Sequence, residues 1–301
     1  QFWNTDSVPR AEFEKLSERG LQAARRARDV WSHSKILISL LQQTLIFGRP
    51  NEAAGYGEAL IALSRETNDP RPRAMGLWGM AWLDAFHFKA ESAVELADEA
   101  LRLSLSRIDQ IGAEAGKGTA LVELRRTEEA ESLLERDLAE VRRGDFVTIL
   151  PVIQAMLGAA KVLNGKMSEG LALIEQAGRE EVLLANQATR VACEMILGEV
   201  YLEIALGEER PPLSVLLRNL AFVVTTLPVA RSRAARHLGS ALTRAREMDA
   251  TSLIARLQYD LGRLAKLRRK PEEARAAFAE ARALAESVEA DGIIARIDAA
   301  A

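Results

Sequence analysis

Three glycines recur at a fixed interval in the middle of the chain, and this periodicity limits the possible folds more than any other feature. Gly118, Gly158 and Gly198 are spaced 40 residues apart. Each lies in a segment of helical periodicity, and Ala130 and Leu134 follow Gly118 in the next helical segment. Recurrence at such a period is the signature of stacked helical units, each too small to bury its apolar face alone. The periodicity predicts an array of helix pairs.

The clearest single unit is "LQYDLGRLAKLRRKPEEARAAFAEARALAES", residues 257–287. It resembles the tetratricopeptide repeat, which has a Leu-Gly pair in its first helix and an A-x3-F pattern in its second. The matching residues are Leu261, Gly262, Ala274, Phe278 and Ala281. The Trp, Tyr and Pro of the pattern are replaced by Gln258, Ala265 and Glu286. A 40-residue period is longer than the standard repeat of about 34, so the array is a stretched relative of that repeat.

Composition also indicates an all-helical chain. Only 5% of the 301 residues are aromatic, with 9 prolines and 19 glycines, whereas Ala, Leu, Glu and Arg dominate. These four residues are good helix formers with little preference for strands. The predicted fold is all-α: an α-solenoid of antiparallel helix pairs, a TPR-like superhelix of about 14 helices in a single domain, 1–301.

One block interrupts the period. Residues 211–220, "PPLSVLLRNL", predict an extra helix at about 213–226, bounded by Pro211, Pro212 and Pro228, between the two helices of one pair. This block, together with "RPRAMGLWGMAWLDAF" and "AESAVELADEALRLSLSRIDQ", resembles the C-terminal tetratricopeptide region of bacterial multidomain proteins that carry a class III adenylate/guanylate cyclase domain and a signalling ATPase domain. The resemblance covers residues 50–290. It implies a regulatory or protein-docking arm, and the chain, which begins with Gln1, is expected to be a segment of a longer protein.

Catalytic motifs are lacking in the sequence. The stretch "IGAEAGKGTALVEL" has Lys117 between two glycines, but Gly112 is one residue too close to Gly116 for a phosphate-binding loop, and Gly118 replaces the magnesium-binding hydroxyl. We expect this stretch to be a packing helix. The 3 histidines and the single cysteine, Cys193, have no metal-ligand spacing. The isolated chain is therefore expected to be no enzyme, with no cofactor and no metal.

Binding residues are predicted in a concave groove between the first helices of successive pairs. Trp78, Trp82 and Phe86 are spaced four apart and form one stripe on a helix, although large aromatic residues at this spacing also pack in cores. The tetratricopeptide register assigns further groove positions. They are Glu199, Glu203, Arg256, Tyr259, Arg263 and Lys266.

The distribution of charge along the chain favours some classes of partner over others. Residues 229–270 hold eleven Lys or Arg and three acids, in a chain of net charge -3. The expected partner is a protein or peptide, acidic if it meets these basic residues, or the catalytic domains of the parent chain. The alternative is a small-molecule sensor that binds an anionic ligand, and a homodimer is a further option. Without a nucleic-acid motif, signal peptide or membrane span, we expect a cytoplasmic location and no nucleic-acid or membrane partner.

Overall fold

The computed structural model describes residues 10–46, 49–144, 149–180, 187–207 and 219–300. In these ranges the regular structure is entirely α-helical, which confirms the predicted fold class. The helices are α1 (Arg10–Ala27), α2 (Val30–Ile46), α3 (Pro50–Thr67), α4 (Pro70–Phe86), α5 (Ala90–Leu103), α6 (Arg107–Glu123), α7 (Thr127–Arg143), α8 (Leu150–Leu163), α9 (Met167–Ala177), α10 (Gln187–Leu206), α11 (Leu220–Glu247), α12 (Thr251–Leu267), α13 (Pro271–Ser287) and α14 (Asp291–Ala300).

Proline and left-handed turn residues separate the helices. Pro50, Pro70 and Pro271 stand at the first helical positions of α3, α4 and α13, where their fixed φ suits the helix and no amide hydrogen is needed. Several turns place a single non-glycine residue in the left-handed region, including Phe88 and Arg125, each with a φ of 59°. These turns are two or three residues long, so consecutive helices pack antiparallel.

The helices form an inner and an outer layer. The inner helices α2, α4, α6, α8, α10 and α12 contact their neighbours in that order, and each packs against the outer helix that follows it. Helix α12 also contacts α2, so that within the described ranges the inner series returns to its beginning. This is a solenoid of helix pairs whose last inner helices lie against its first ones.

The repeat glycines lie where an inner helix meets its outer partner. A Cβ on Gly118 would lie 2.7 Å from a methyl carbon of Leu134, and a Cβ on Gly262 would lie 2.5 Å from the Phe278 ring. The same relation joins Gly158 to Ile174 at 2.5 Å and Gly198 to Leu238 at 2.7 Å. A side chain at any of these four positions would therefore require the partner side chain or its helix to move.

The "GKGT" stretch lies inside α6, as predicted for a packing helix. Gly118 is packed against Leu134, and the hydroxyl of Thr119 donates to the carbonyl of Ala115 at 3.0 Å, one turn earlier. The Lys117 ammonium is paired with Asp98 at 2.7 Å. Thr119 and Lys117 are therefore bonded within the protein, and Gly118 serves the packing of the helix.

The prediction around Pro228 was wrong in part. Helix α11 runs through Pro228 without a break, whereas the sequence suggested a helix end there; residues 208–218, in which the extra helix was expected to begin, lie outside the described residues. Proline leaves the carbonyl of Val224 without its helical donor. Val224 is 64% exposed and Pro228 is also exposed, so water can bind that carbonyl. The last helix, α14, was not predicted.

None of the described helices is both long and apolar enough to cross a bilayer.

Candidate functional site: the inner cavity

A cavity of about 170 Å³ lies among the inner helices, and we refer to it as the inner cavity. Helices α4, α6, α8, α10, α12 and α14 all contribute to its lining. The apolar part of the lining consists of Trp82, Phe86, Phe88, Val122, Val152, Met156, Ala159, Val162, Leu163, Ala192, Met195, Ile196 and Val200. The charged part consists of Glu123, Arg125, Glu199, Glu203, Arg256, Asp260, Arg263 and Arg296.

Seven of the nine predicted groove residues line this cavity. They are Trp82, Phe86, Glu199, Glu203, Arg256, Tyr259 and Arg263. Helix α4 supplies the first two, α10 the glutamates and α12 the last three, because equivalent turns of neighbouring inner helices face the same space. That these residues bind a ligand remains a prediction.

The other two predicted residues lie elsewhere. Trp78 is 4% exposed and belongs to the apolar core of the first helix pairs, with its ring against Gly112. The four-residue spacing therefore combines a core residue with two that line the cavity. Lys266 is exposed, and its ammonium donates to the carbonyl of Ala300 in α14. It does not belong to the cavity lining.

Glycines in α6 set the position of Trp82. A Cβ on Gly116 would lie 3.2 Å from the indole ring, closer than most real contacts of that type. The indole nitrogen of Trp82 donates to the carbonyl of Gly112 at 2.9 Å. Two of the glycines that resembled a phosphate loop thus allow an aromatic side chain to reach the cavity.

The charged lining forms one connected network. Arg256 donates to Glu199 at 2.7 Å and to Glu123 at 2.8 Å, and Arg296 donates to the other oxygen of Glu123 at 2.8 Å. Arg263 donates to Glu203 at 2.8 Å. Asp260, 3.4 Å from Arg263, also shares a hydrogen bond with Glu199 and so joins the two parts, and Arg125 lies 3.6 Å from Glu203.

This network balances the basic residues that the sequence singled out. The lining holds four arginines and four acids, so the cavity wall is not a uniformly positive surface. Arg256 is buried, and although burial lowers its pKa, the Glu199 and Glu123 carboxylates outweigh burial and raise the pKa above its ordinary value. For Asp260, burial and then the neighbouring Glu199 carboxylate raise the pKa.

Phe88, in the turn between α4 and α5, connects the first half of the chain to α12 and α14. The guanidinium groups of Arg256 and Arg296 lie 4.3 Å and 3.9 Å from its ring centroid, and the ring meets the Tyr259 ring edge-on at 6.2 Å. A φ of 59° is unusual for a bulky residue and is maintained only where surrounding contacts stabilise it. Backbone strain at the α4–α5 turn therefore accompanies the placement of this ring.

We use the term seam for the contacts that join α12, α13 and α14 to the first half of the chain. Besides those of Phe88 and Glu123, they include a hydrogen bond from Asn51 to Glu289 at 3.2 Å. They also include the approach of Gly292 to His87, where a Cβ on the glycine would overlap the His87 carbonyl oxygen.

Sequence reasoning missed five lining residues that complete the network and its aromatic contact. They are Phe88, Glu123, Arg125, Asp260 and Arg296. Asp260 could have been found, because it is four residues after Arg256 and three before Arg263 and so shares their helical face. Phe88 and Arg125 lie in turns, Glu123 ends α6, and Arg296 lies in α14, which the sequence did not predict.

No group of His, Cys, Asp and Glu side chains in the described ranges is arranged to hold a metal ion. Compared with known proteins, the chain matches no family model and no curated protein. The family therefore remains a prediction that rests on the repeat residues of this sequence.

Proposed function

We propose that this chain is a non-catalytic regulatory module that recognises its partner through the inner cavity. The observation that carries the proposal is the convergence of side chains from six helices on one space, with an apolar part next to a charged network. Recognition sites commonly combine an apolar cavity with a few placed polar groups. The first candidate occupant is a peptide or protein segment that inserts one side chain into the cavity.

A second candidate function is a small-molecule sensor. It is favoured by the contacts of Phe88 with Arg256 and Arg296, which connect the α4–α5 turn to α12 and α14 beside the cavity and restrict the space for a long peptide. The balanced charges of the lining do not single out an anion, in contrast to the expectation from the basic residues alone. If the chain is such a sensor, its ligand is a compact molecule that fits beside the Phe88 contacts.

A plugged variant tests both candidates. Ala192 lines the cavity and is half-buried, so Ala192→Phe fills the space without removing a packed side chain. Ala276 is exposed on the outer helix α13, and Ala276→Phe is the matched control. Binding to an array of synthetic peptides, or stabilisation by a metabolite in a thermal-shift screen, should persist in the control and be lost in the plugged variant.

Binding that survives in Ala192→Phe would contradict the role of the cavity. A ligand at one hundred times its Kd should raise the free energy of unfolding by about 2.7 kcal/mol, which a thermal-shift screen detects readily. Hydrolysis or cyclisation of ATP or GTP by the purified chain would contradict the non-catalytic assignment.

We also propose that the parent protein is a bacterial cyclase–ATPase signalling protein, with the module located in the cytoplasm. The support is the repeat pattern with its long interruption after α10. The genomic sequence upstream of the Gln1 codon tests this directly. A G-x-x-x-x-G-K-[ST] loop and cyclase motifs are expected there, and an unrelated domain would contradict the assignment.

A further inference from the structure

A second cavity lies at the start of the array, and we refer to it as the α1 cavity. It has a volume of about 390 Å³ and lies where α1 meets α2 and α3. Its lining shares no residue with that of the inner cavity. Sites for small ligands commonly have volumes of about 300–1,000 Å³. The α1 cavity therefore has room for a compact organic molecule.

Helix α1 presents two rows of side chains to this cavity. Phe13, Ser17 and Leu21 are spaced four apart and form one row, and Glu14 and Glu18 form a second row beside it. Phe13 and Leu21 are half-buried, whereas Glu14 and Glu18 are exposed. The cavity thus combines an apolar inner part with a rim of carboxylates.

Ser17 has a hydroxyl that the protein does not use. The side chain is only 8% exposed, yet the hydroxyl forms no hydrogen bond within the described part of the chain. The helical serines Ser34 and Ser39 instead donate to the carbonyl one turn earlier, at 2.7 Å and 2.9 Å. The Ser17 oxygen keeps some accessible surface, and the residue lines the cavity. Because buried polar groups nearly always have a partner, this hydroxyl points to a bound molecule.

The charges of the lining favour a cation. Three lining residues are acidic, Glu14, Glu18 and Glu52, and only Arg49 is basic, so the lining has an excess of two negative charges. Arg49 donates to Glu52 at 2.8 Å and to Glu14 at 3.0 Å, and its Nε has almost no accessible surface, so little of the guanidinium is left for an anion. Glu18 forms no ion pair with any described residue. A positive group is therefore attracted and a negative group repelled.

We infer that the α1 cavity binds a primary alkylammonium group, which donates to the Ser17 hydroxyl and the Glu18 carboxylate. An ammonium has three donors that rotate freely, so it can use acceptors on two adjacent residues, whereas a guanidinium needs them in one plane. Phe13 and Tyr56 supply aromatic rings, which attract a cation and pack against its carbon chain. The carboxylates of the described residues are not arranged to hold a metal ion.

Three probes with the same carbon skeleton test this inference. Cadaverine has two ammonium groups, 1,5-pentanediol has two neutral hydroxyls and glutarate has two carboxylates. In isothermal titration calorimetry, we expect the unmodified chain to bind cadaverine at least about tenfold more tightly than the diol, the size expected for one hydrogen bond to a charged group. Glutarate should not bind. Equal affinity for cadaverine and the diol would overturn the inference, and so would binding of glutarate.

Two variants place the binding in the α1 cavity. Glu18→Gln keeps the shape of an exposed side chain and removes its charge, so the affinity for cadaverine should fall about tenfold. Ser17→Ala removes the hydroxyl, suits the helix, and should lower the affinity about fivefold. The matched control is Glu12→Gln, an exposed glutamate of α1 outside the lining, which should bind as the unmodified chain does.

An affinity for cadaverine that is unchanged in either cavity variant would contradict the inference. An equal loss in Glu12→Gln and Glu18→Gln would also contradict it, because the binding would then be a general attraction to an acidic helix.

A free alkylamine and the lysine side chain of a partner share this chemistry, and peptides separate the two sources. A short capped peptide with one lysine is compared with the same peptide with norleucine, which lacks only the ammonium group. Binding of the lysine peptide alone of the two identifies a partner protein, whereas binding of cadaverine without either peptide identifies a free amine. If neither cadaverine nor the lysine peptide binds, the inference fails.

The inner cavity is judged separately. Ala192→Phe fills the inner cavity and should leave the binding of cadaverine unchanged. Loss of cadaverine binding in that variant would place the amine in the inner cavity and overturn this inference, whereas the proposed function depends only on the ligands of the inner cavity.

Discussion

The helix pairs and the seam are held together by different kinds of contact. Within a pair, a glycine of the inner helix receives an apolar side chain of the outer helix, as Gly262 receives Phe278 only 16 residues away. At the seam, Arg256 reaches Glu123, which is 133 residues away, through charge-assisted hydrogen bonds beside an aromatic ring. Short-range packing builds the pairs, and polar long-range contacts close the series.

This difference has an energetic meaning. Repeat arrays are usually stabilised by each unit and its nearest neighbours alone. The seam adds contacts outside that scheme. An intact buried ion pair adds little net stability, whereas removing one partner leaves a buried charge uncompensated. Breaking the seam should therefore be costly where it leaves a charge unpaired and of little consequence where it removes an exposed pair.

The largest effect is expected from Arg256→Met. The substitution leaves Glu199 without its guanidinium partner, whereas Glu123 keeps Arg296, and loss of one member of a buried ion pair costs about 3–5 kcal/mol. Urea unfolding followed by circular dichroism measures the change. The control Arg275→Met removes an exposed arginine paired with Glu272 and should leave the stability nearly unchanged. Similar midpoints for the two variants would show that the seam network carries no net stabilisation.

The second largest effect is expected from acid, which should weaken the seam at His87. Burial, followed by the charge of Lys89, lowers the pKa of His87 from 6.5 to about 4. The unfolded chain thus binds a proton below pH 6.5 that the folded chain refuses until about pH 4. Above pH 6.5 this histidine does not reduce the free energy of unfolding. As the pH falls from 6.5 to 4, the free energy of unfolding decreases by up to about 3 kcal/mol.

His87→Leu isolates this contribution. The side chain is 3% exposed and its Nε2 has no hydrogen-bond partner, so a similar-sized apolar group is tolerated at neutral pH. Unfolding free energies at pH 7.5 and pH 4.5 should differ less in the variant than in the unmodified chain. The same pH dependence in both proteins would assign the acid sensitivity to other groups.

A glycine substitution tests the helix pairs. In Gly158→Ala the new methyl carbon would lie 2.5 Å from Ile174 and 2.6 Å from the carbonyl of Gly170, and overpacking of this kind costs about 1–3 kcal/mol. Gly239 is a helical glycine with open space around it, so Gly239→Ala should stabilise the chain by about 0.5–1 kcal/mol. Thermal unfolding of both variants measures the contrast, and a loss in Gly239→Ala would contradict it.

The smallest effect is expected from Asn51→Ala. Asn51 and Glu289 are exposed and share one hydrogen bond across the seam. Its removal should change the free energy of unfolding by less than about 0.5 kcal/mol. Denaturant unfolding compares the variant with Arg256→Met, and a cost as large as that of Arg256→Met would mean that exposed seam contacts also hold the ends together.

Local patterns predicted the pairs but not the seam. The spacing of Gly118, Gly158 and Gly262 from their partners follows from helix geometry, so it can be read along the chain. Glu123 and Arg296 are ordinary charged residues on helices, and nothing short-range in the sequence indicates that they meet across 173 residues. Pro228 misled the prediction because its local preference is overcome where the freed carbonyl is exposed to solvent.

The contact of α12 with α2 has a consequence for how the chain folds. Helix pairs can form early because their contacts are close in sequence, whereas closing the series requires segments more than 200 residues apart to meet. We expect seam contacts to form after the rate-limiting step. Arg256→Met should then accelerate unfolding much more than it slows folding in stopped-flow experiments, and Gly158→Ala should slow folding. An equal effect of Arg256→Met on both rates would place the seam in the folding nucleus.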